Sequence, residues 1–339
     1  MDCIVVDGSQ GEGGGQILRS SLSLALCTGQ PVVVESIRAN RPNPGLARQH
    51  LACVQAAAAI SGGKVAGDAL GSTRIELTPG PVKGGEYRFD VQSAGSVTLL
   101  LQTLLPPLML APSPSHLFLS GGTHNAAAPP ANYLQEVFFP LLERMGVSAK
   151  LTLLAHGFYP HGGGELEVGI EPTQALRPLQ LDSRGARRSL RASVLVANLP
   201  RHIGERELNV LRHAFDLDEV DISTVLADGP GNVIQARAEF EHLTEMFTGF
   251  GEKKKRAEAV ARGVADGLGS YLRNDVAVGP NLADQLLIPM ALAKGGSFTT
   301  GTPTRHTLTN IAVIERFFGP TFLVESEDAR RTRISVRAV

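Results

Sequence analysis

The sequence carries no surplus of charge of either sign: 32 Lys plus Arg stand against 33 Asp plus Glu, for a net charge of −1. A chain-wide basic field that would draw in nucleic acid is excluded, so any polyanion site must be a local cluster. Cysteine is scarce. Cys3, Cys27 and Cys53 are odd in number and show no CxxC spacing, which excludes a disulfide framework and implies a reduced, cytoplasmic protein. The opening MDCIVVDG has an early acid and no basic region, so a signal peptide is not expected. Long apolar runs are missing as well. The longest, Val97 to Ala111, is interrupted by Gln102, Pro106 and Pro107 and is too short to span a bilayer; a soluble protein with no membrane partner is expected. Nor is there a nucleotide-binding fingerprint of the common kinds. GSQGEGGGQILR (8–19) has Gln16 where GxGxxG needs its last glycine, and no Lys-Ser/Thr pair follows as in a P-loop.

The length of 339 residues and a 43% hydrophobic content allow a substantial core, as two domains or one large domain with an insertion. Internal similarity decides between them. A unit starting near Asp2 reads strand CIVVD, Gly-rich turn, helix Gly14 to Thr28, strand PVVVESI, helix Gly45 to Ile60, then strands around KVAG and TRIELTP. A second reads strand YRFDV, helix from Ser96, strand SHLFLSGG, helix Tyr133 to Met145, and strands AKLTLLAHGF and GELEVGI. A third has helix Leu282 to Ala293, strand GSFTTG, helix His306 to Phe318, and strands TFLVES and TRISVRAV. Helix, strand, helix, strand, strand recurs in all three. The gap before the third unit is longer by about a hundred residues, and Arg184 to Asp275 fill it with strands and helices of their own, including helices from Gly204 and from Lys253 to Leu272. The expectation is an α/β (α+β) fold of three repeated β-α-β-α-β-β units packing sheets against helices. Residues 1–183 would form a catalytic body of two repeats, 184–275 an inserted small α/β domain, and 276–339 the third repeat.

Chemistry-bearing residues gather in a few places. In GTPTRHTLTN (301–310), a strand ends, Pro303 delays the helix, Thr304 is a good N-cap, and His306 falls in the first helical turn, where unpaired N–H groups suit a phosphate. The Gly-rich turn at 8–15 lets backbone approach a phosphate closely, with the carboxylate of Glu12 beside it for a hard cation. Gln16, Arg19, Ser20 and Ser23 share one helical face, which is ordinary amphipathicity. RANRPNPGLARQH (38–50) concentrates Arg38, Arg41, Arg48, Gln49 and His50 on a proline-stiffened loop, a local anion site in a neutral chain. EKKKR (252–256) reads as a solvated helix start. His124, His156 and His161 lack metal-ligand spacing.

These stretches, together with SAGSVTLLLQTLLP, GGTHNAAAPP, HGFYPHGGGE, LADQLLIPMALA and HTLTNIAVIERF in order and separation, resemble the RNA 3'-terminal phosphate cyclase family along nearly the whole chain. The resemblance implies ATP-dependent conversion of an RNA 3'-phosphate to a 2',3'-cyclic phosphate through a covalent histidine–AMP, which points to His306. It implies ATP contacts at Gln102, Pro129, Asn281, Leu282, Ala283, Asp284 and Gln285, phosphate contacts at Arg19, Arg38, Arg41, Arg48 and Gln49, and a divalent metal, Mg or Mn, at Glu12. The expected partners are ATP and RNA 3'-phosphate ends, with a homodimer as the one oligomeric candidate. The family can carry an aromatic residue where this chain has Asn281, which offers adenine no comparable stacking face. Two competing readings are a non-catalytic cyclase-like protein of ribosome assembly, which would lack the nucleophilic histidine, and an enolpyruvyl transferase, which would have six repeats in two lobes.

Overall fold

Short β-branched runs such as Val32 to Val34, buried at 0–8% exposure, make strands that pairs of amphipathic helices cover. The computed structural model describes residues 3–337. The expected start near Asp2 and the expected end at Ala338 and Val339 lie outside the described residues.

The first sheet comes from β1 (Ile4–Asp7), β2 (Val32–Glu35), β3 (Lys64–Ala66) and β4 (Ile75–Thr78), with helices α1 (Gly15–Thr28) and α2 (Arg48–Ser61) between them. The second comes from β5 (Glu86–Asp90), α3 (Val97–Met109), β6 (Ser115–Gly121), a helix, β7 (Ser148–Ala155) and β8 (Gly164–Glu171). That helix runs as α4 (Ala131–Tyr133), a π-helical turn Leu134–Phe138, and α5 (Phe139–Arg144). Their strand orders, β1-β2-β4-β3 and β5-β6-β8-β7, are the same pattern, each with one parallel pair followed by two antiparallel ones.

After β9 (Leu179–Leu181), the chain leaves for β10 (Arg187–Ala197), α6 (His202–Ala214), β11 (Glu219–Thr224), β12 (Gly231–Phe240), β13 (Thr244–Phe250) and α7 (Ala257–Arg273). It returns through α8 (Pro280–Leu292), β14 (Gly296–Thr300), α9 (Arg305–Phe318), β15 (Phe322–Ser326) and β16 (Thr332–Val336). The third sheet of the same pattern takes β9 as its parallel edge, Leu179 to Leu181 facing Gly296 to Phe298. The sequence pattern does not reveal β9, because three residues carry no periodicity and its partner lies across the insertion.

Two further boundaries differ from expectation. α2 begins at Arg48 rather than Gly45, whose φ of 81° is left-handed and whose absent Cβ leaves room for the carbonyl of Gly71. α7 begins at Ala257, so the lysine run precedes the helix. Among the described residues no helix is long and apolar enough to cross a membrane.

We propose the division into a body and an inserted domain, and two separate cores support it. One apolar cluster unites residues of all three like-patterned sheets, and another runs from Leu190 to Val276. The two are stitched rather than merely tethered. Leu243 and Met246 of the insert belong to the body's core, Asn132 and Gln235 exchange amide hydrogen bonds at 2.5 and 2.9 Å, and Glu245 Oε1 accepts the Gly279 N–H at the start of α8 at 2.5 Å. Excision of the insert would therefore uncover apolar surface of the body.

Glu245 is 2% exposed, and burial pushes its carboxyl up to about 8 from an ordinary 4.5, against hydrogen bonds from Gly279 and Met246. The folded state thus holds a proton that the unfolded chain releases. The stabilisation is complete below about pH 4.5 and is lost as pH rises through about 8, at up to about 1.4 kcal/mol per pH unit. Denaturant midpoints should show this slope, and Glu245→Gln should abolish it between pH 7 and 8. Buried Glu207, raised to about 7, would retain a slope only below that.

Candidate active site

Three helices from distant parts of the chain converge on His306. α9 starts as its sequence requires: the Thr304 hydroxyl accepts the Thr307 N–H at 3.1 Å, and His306 is the second helical residue. The Gly-rich loop between β1 and α1 is fastened to α9. Glu12 N–H donates to Thr309 Oγ1 at 3.1 Å, and Arg305 Nη2 donates to the Gly11 carbonyl at 2.9 Å. Gly11 has φ 52°, and the Thr309 side chain fills the place of its missing Cβ, so glycine alone fits there.

Gln16, in the first turn of α1, orients the histidine. Its Nε2 donates to both carboxylate oxygens of Asp284, at 2.6 and 2.7 Å, which fixes the amide and turns Oε1 toward His306 Nδ1, 3.0 Å away. An amide oxygen only accepts, so Nδ1 carries a proton, and in the neutral ring the lone pair lies on Nε2. Nε2 lies 3.4 Å from Glu12 Oε2. Asp284 is held in turn: its carbonyl accepts Asn310 Nδ2 at 3.1 Å, and Asn310 Oδ1 accepts the Ser20 hydroxyl at 2.7 Å. Burial raises the Asp284 carboxyl, while His306, Asn310, Gln16 and Arg19 oppose the rise.

Cations crowd the same place. Arg41 pairs with Glu12 Oε1. Burial lowers the Arg19 guanidinium despite Cys53, Asp284 and Glu12; burial and Arg41 lower Arg38, which donates to the Gly45 carbonyl at 2.7 Å. Burial, then Arg19 and Arg38, push His50 down to about 3, so it stays neutral. Three guanidiniums facing few carboxylates form a site whose charge favours an added anion. The cleft they line encloses about 950 Å³ between body and insert, with Thr248, Phe250, Lys255 and Val260 on the insert's wall.

A family model described as RNA 3'-terminal phosphate cyclase matches residues 10–324. The chain belongs to this family. Among its relatives are proteins named RNA 3'-terminal phosphate cyclase from Salmonella agona (strain SL483), 50% identical over 323 residues covering 95% of this chain and 94% of the relative, and from Salmonella enteritidis PT4 (strain P125109), 50% identical over 327 residues and 96% of each. Among solved structures, the enolpyruvyl transferase NikO from Streptomyces tendae aligns over all of this chain and 49% of its own, at 12% identity and a TM-score of 0.39.

In this cyclase-family chain the residues expected at the site mostly meet in the cleft: Glu12, Arg19, Arg38, Arg41, Gln49, Gln102, Pro129, Asn281, Asp284, Gln285 and His306 all line it. Gln49 is also committed to the fold, its Oε1 accepting the Ser96 N–H at 3.1 Å. Three expected residues lie elsewhere. Leu282 and Ala283, expected to contact nucleotide, are 0% and 1% exposed in the core, because Asn281, Asp284 and Gln285 occupy the cleft face of α8 and the two between them face away. Arg48, the first residue of α2, is exposed and lies outside the cleft that the next two residues, Gln49 and His50, line. Sequence reasoning gave no role to Gln16 or Asn310. Their signal was spacing: Gln16 shares a helical face with Arg19 and Ser20, and Asn310 follows His306 by four residues.

Gly15 is required by this packing. A Cβ there would overlap His50 Nε2 and stand 2.8 Å from Arg19 Nη1. Gly15→Ala should cost about 1–3 kcal/mol in a denaturant titration. In Gly15→Ala/His50→Ala the second change should cost less than His50→Ala does alone, and the coupling checks that His50 is the obstacle.

Proposed function

We propose that the chain converts an RNA 3'-terminal phosphate into a 2',3'-cyclic phosphate with ATP, in the cytoplasm, where its three free cysteines would stay reduced. The observation that carries this reading is the oriented ring: an exposed histidine whose Nδ1–H is engaged by Gln16, leaving Nε2 free beside Glu12 and Arg41. Nε2 attacks the α-phosphorus of ATP, forming an N–P bond as the bond to diphosphate breaks. The ring becomes positive, and Gln16 Oε1 still accepts Nδ1–H, so the charge is stabilised where it develops. An oxygen of the RNA 3'-phosphate then displaces the imidazole, giving an RNA–AMP anhydride. The 2'-OH attacks the 3'-phosphorus, loses its proton to solvent and expels AMP, the closeness of the two groups supplying a large effective concentration.

Gln102, Pro129, Asn281 and Gln285 are proposed to hold the nucleoside, with Arg19, Arg38, Arg41 and Gln49 on phosphate oxygens. Glu12 Oε2 is a buried oxygen that accepts no hydrogen bond among the described residues, as suits an oxygen facing a hard cation. Glu12 would hold Mg or Mn, whose bound charge would neutralise phosphate oxygens.

Incubation with α-labelled ATP tests the reading. His306→Ala should abolish covalent labelling, with the fold unchanged because the side chain is exposed; the label should be acid-labile and alkali-stable, as a phosphoramidate is. Retained labelling in that variant would remove the assignment, and an unlabelled native protein would favour the non-catalytic reading. Gln16→Ala should slow labelling roughly 10- to 100-fold, the usual loss when a partner that orients an imidazole is removed.

Arg41 is proposed to clamp the RNA's terminal phosphate, which carries about one more negative charge than an internal diester. Arg41→Lys should slow AMP transfer to RNA more than it slows enzyme–AMP formation, because an ammonium lacks the bidentate fork. Single-turnover reactions started from ATP and from isolated enzyme–AMP separate the two steps, and a defect confined to self-labelling would move Arg41 to the ATP phosphates.

A further inference from the structure

The run Glu252 to Arg256 belongs neither to β13 nor to α7. It forms an exposed turn closed by the Lys255 N–H to Glu252 carbonyl bond at 3.0 Å, with Lys254 at φ 71°, a conformation uncommon for a residue with a Cβ. Glu252 and Lys255 line the cleft that also holds His306 and Arg41. Lys255 pairs with Glu252 at 3.2 Å, whereas Lys253, Lys254 and Arg256 make no ion pair among the described residues. The five residues carry a charge of +3 in a chain of net −1, which leaves −4 for everything else.

We propose that this turn is a seat for the phosphodiester backbone of single-stranded RNA, upstream of the 3' end held at His306. The inference rests on the RNA-end reading above. Outside the cleft the chain is slightly acidic and would repel a polyanion, so a strand leaving it should settle on the one basic segment at its rim. The two walls differ in the kind of cation they offer. The body presents arginines, whose planar forks suit one fixed phosphate; the turn is mostly lysine, a flexible point charge suited to diesters whose positions vary. ATP alone does not account for it, because the triphosphate is one compact anion for which the body already offers Arg19 and Arg38.

The test is equilibrium binding across a salt series for the full-length protein and for Lys253→Gln/Lys254→Gln/Arg256→Gln. The probes are a long 3'-phosphorylated oligoribonucleotide, the same strand ending in 3'-OH, and a 3'-phosphorylated dinucleotide. Each phosphate contact on a single strand contributes about 0.7 to the slope of log K against log salt, so the variant's slope should be shallower by about 2 on both long strands. The dinucleotide should bind as before. Lys254→Gln alone should shift the slope by about 0.7, a milder change if the triple variant folds poorly. An unchanged slope on the long strands would overturn the proposal. So would equal weakening of the dinucleotide, or a matching loss of ATP labelling, since either would place the turn on the end or on ATP. The 3'-OH strand reads the backbone alone, so a turn-dependent slope there upholds the seat even if labelling shows the proposed reaction to be wrong.

Discussion

The site depends on one amide. Gln16 stands between a carboxylate and an imidazole, donating to Asp284 and accepting from His306, and a carboxamide carries the donor and the acceptor that this needs on one planar group. A glutamate would repel Asp284; a leucine would leave Asp284 buried with one donor fewer and the ring free to rotate. Because the amide links α1, α8 and α9, the orientation of the His306 ring is set by the packing of three helices. That packing is firm: Ile17, Leu18, Leu282, Leu286 and Ile314 are at most 1% exposed.

The buried Asp284 carboxylate is costly in isolation, and its raised pKa expresses that cost. What keeps it serviceable as an acceptor is a ring of donors and cations: Gln16, Asn310, Arg19 and the imidazole itself. The same cations gain from it. Arg19 is lowered by burial but supported by Asp284 and Glu12, so the two acids hold a guanidinium in the cleft without pairing it bidentately. A near-neutral chain can in this way present a strongly basic pocket. The charge is local, and two of the acids that balance it, Glu12 and Asp284, share the cleft lining with the arginines.

Much of this was legible in the sequence. The N-cap Thr304, the position of His306, the Gly-rich loop with Glu12 and the arginine-rich stretch were readable because each is a local pattern with a local cause. What was not legible has a different cause. β9 pairs across the insertion, α2 waits for Gly45 to finish its left-handed turn, and Leu282 and Ala283 face the core because a helix distributes five consecutive residues around its whole circumference. The bridge from Gln16 to Asp284 spans 268 residues of sequence, and nothing at either end marks a glutamine or an aspartate as belonging to the other. The family resemblance supplied Asp284 but with a nucleotide-binding role, whereas the geometry also makes it the anchor of the ring.

The cleft is asymmetric in a way that bears on how a polymer and a nucleotide could share it. On the body side the groups around the ring are tied to one another: Arg41 to Glu12, Arg38 to the Gly45 carbonyl, Gln16 to Asp284 and His306. Such a wall is preorganised, so chemistry there costs little reorganisation. The insert's rim is the opposite, a turn of exposed lysines outside any helix. Rigid recognition suits the reacting phosphorus, which must be placed to a fraction of an ångström, while the strand behind it needs only to be kept near. A cleft with the His306 ring held by packed helices on one wall and an exposed basic turn on the other would meet both needs without letting the motion of a strand disturb the ring.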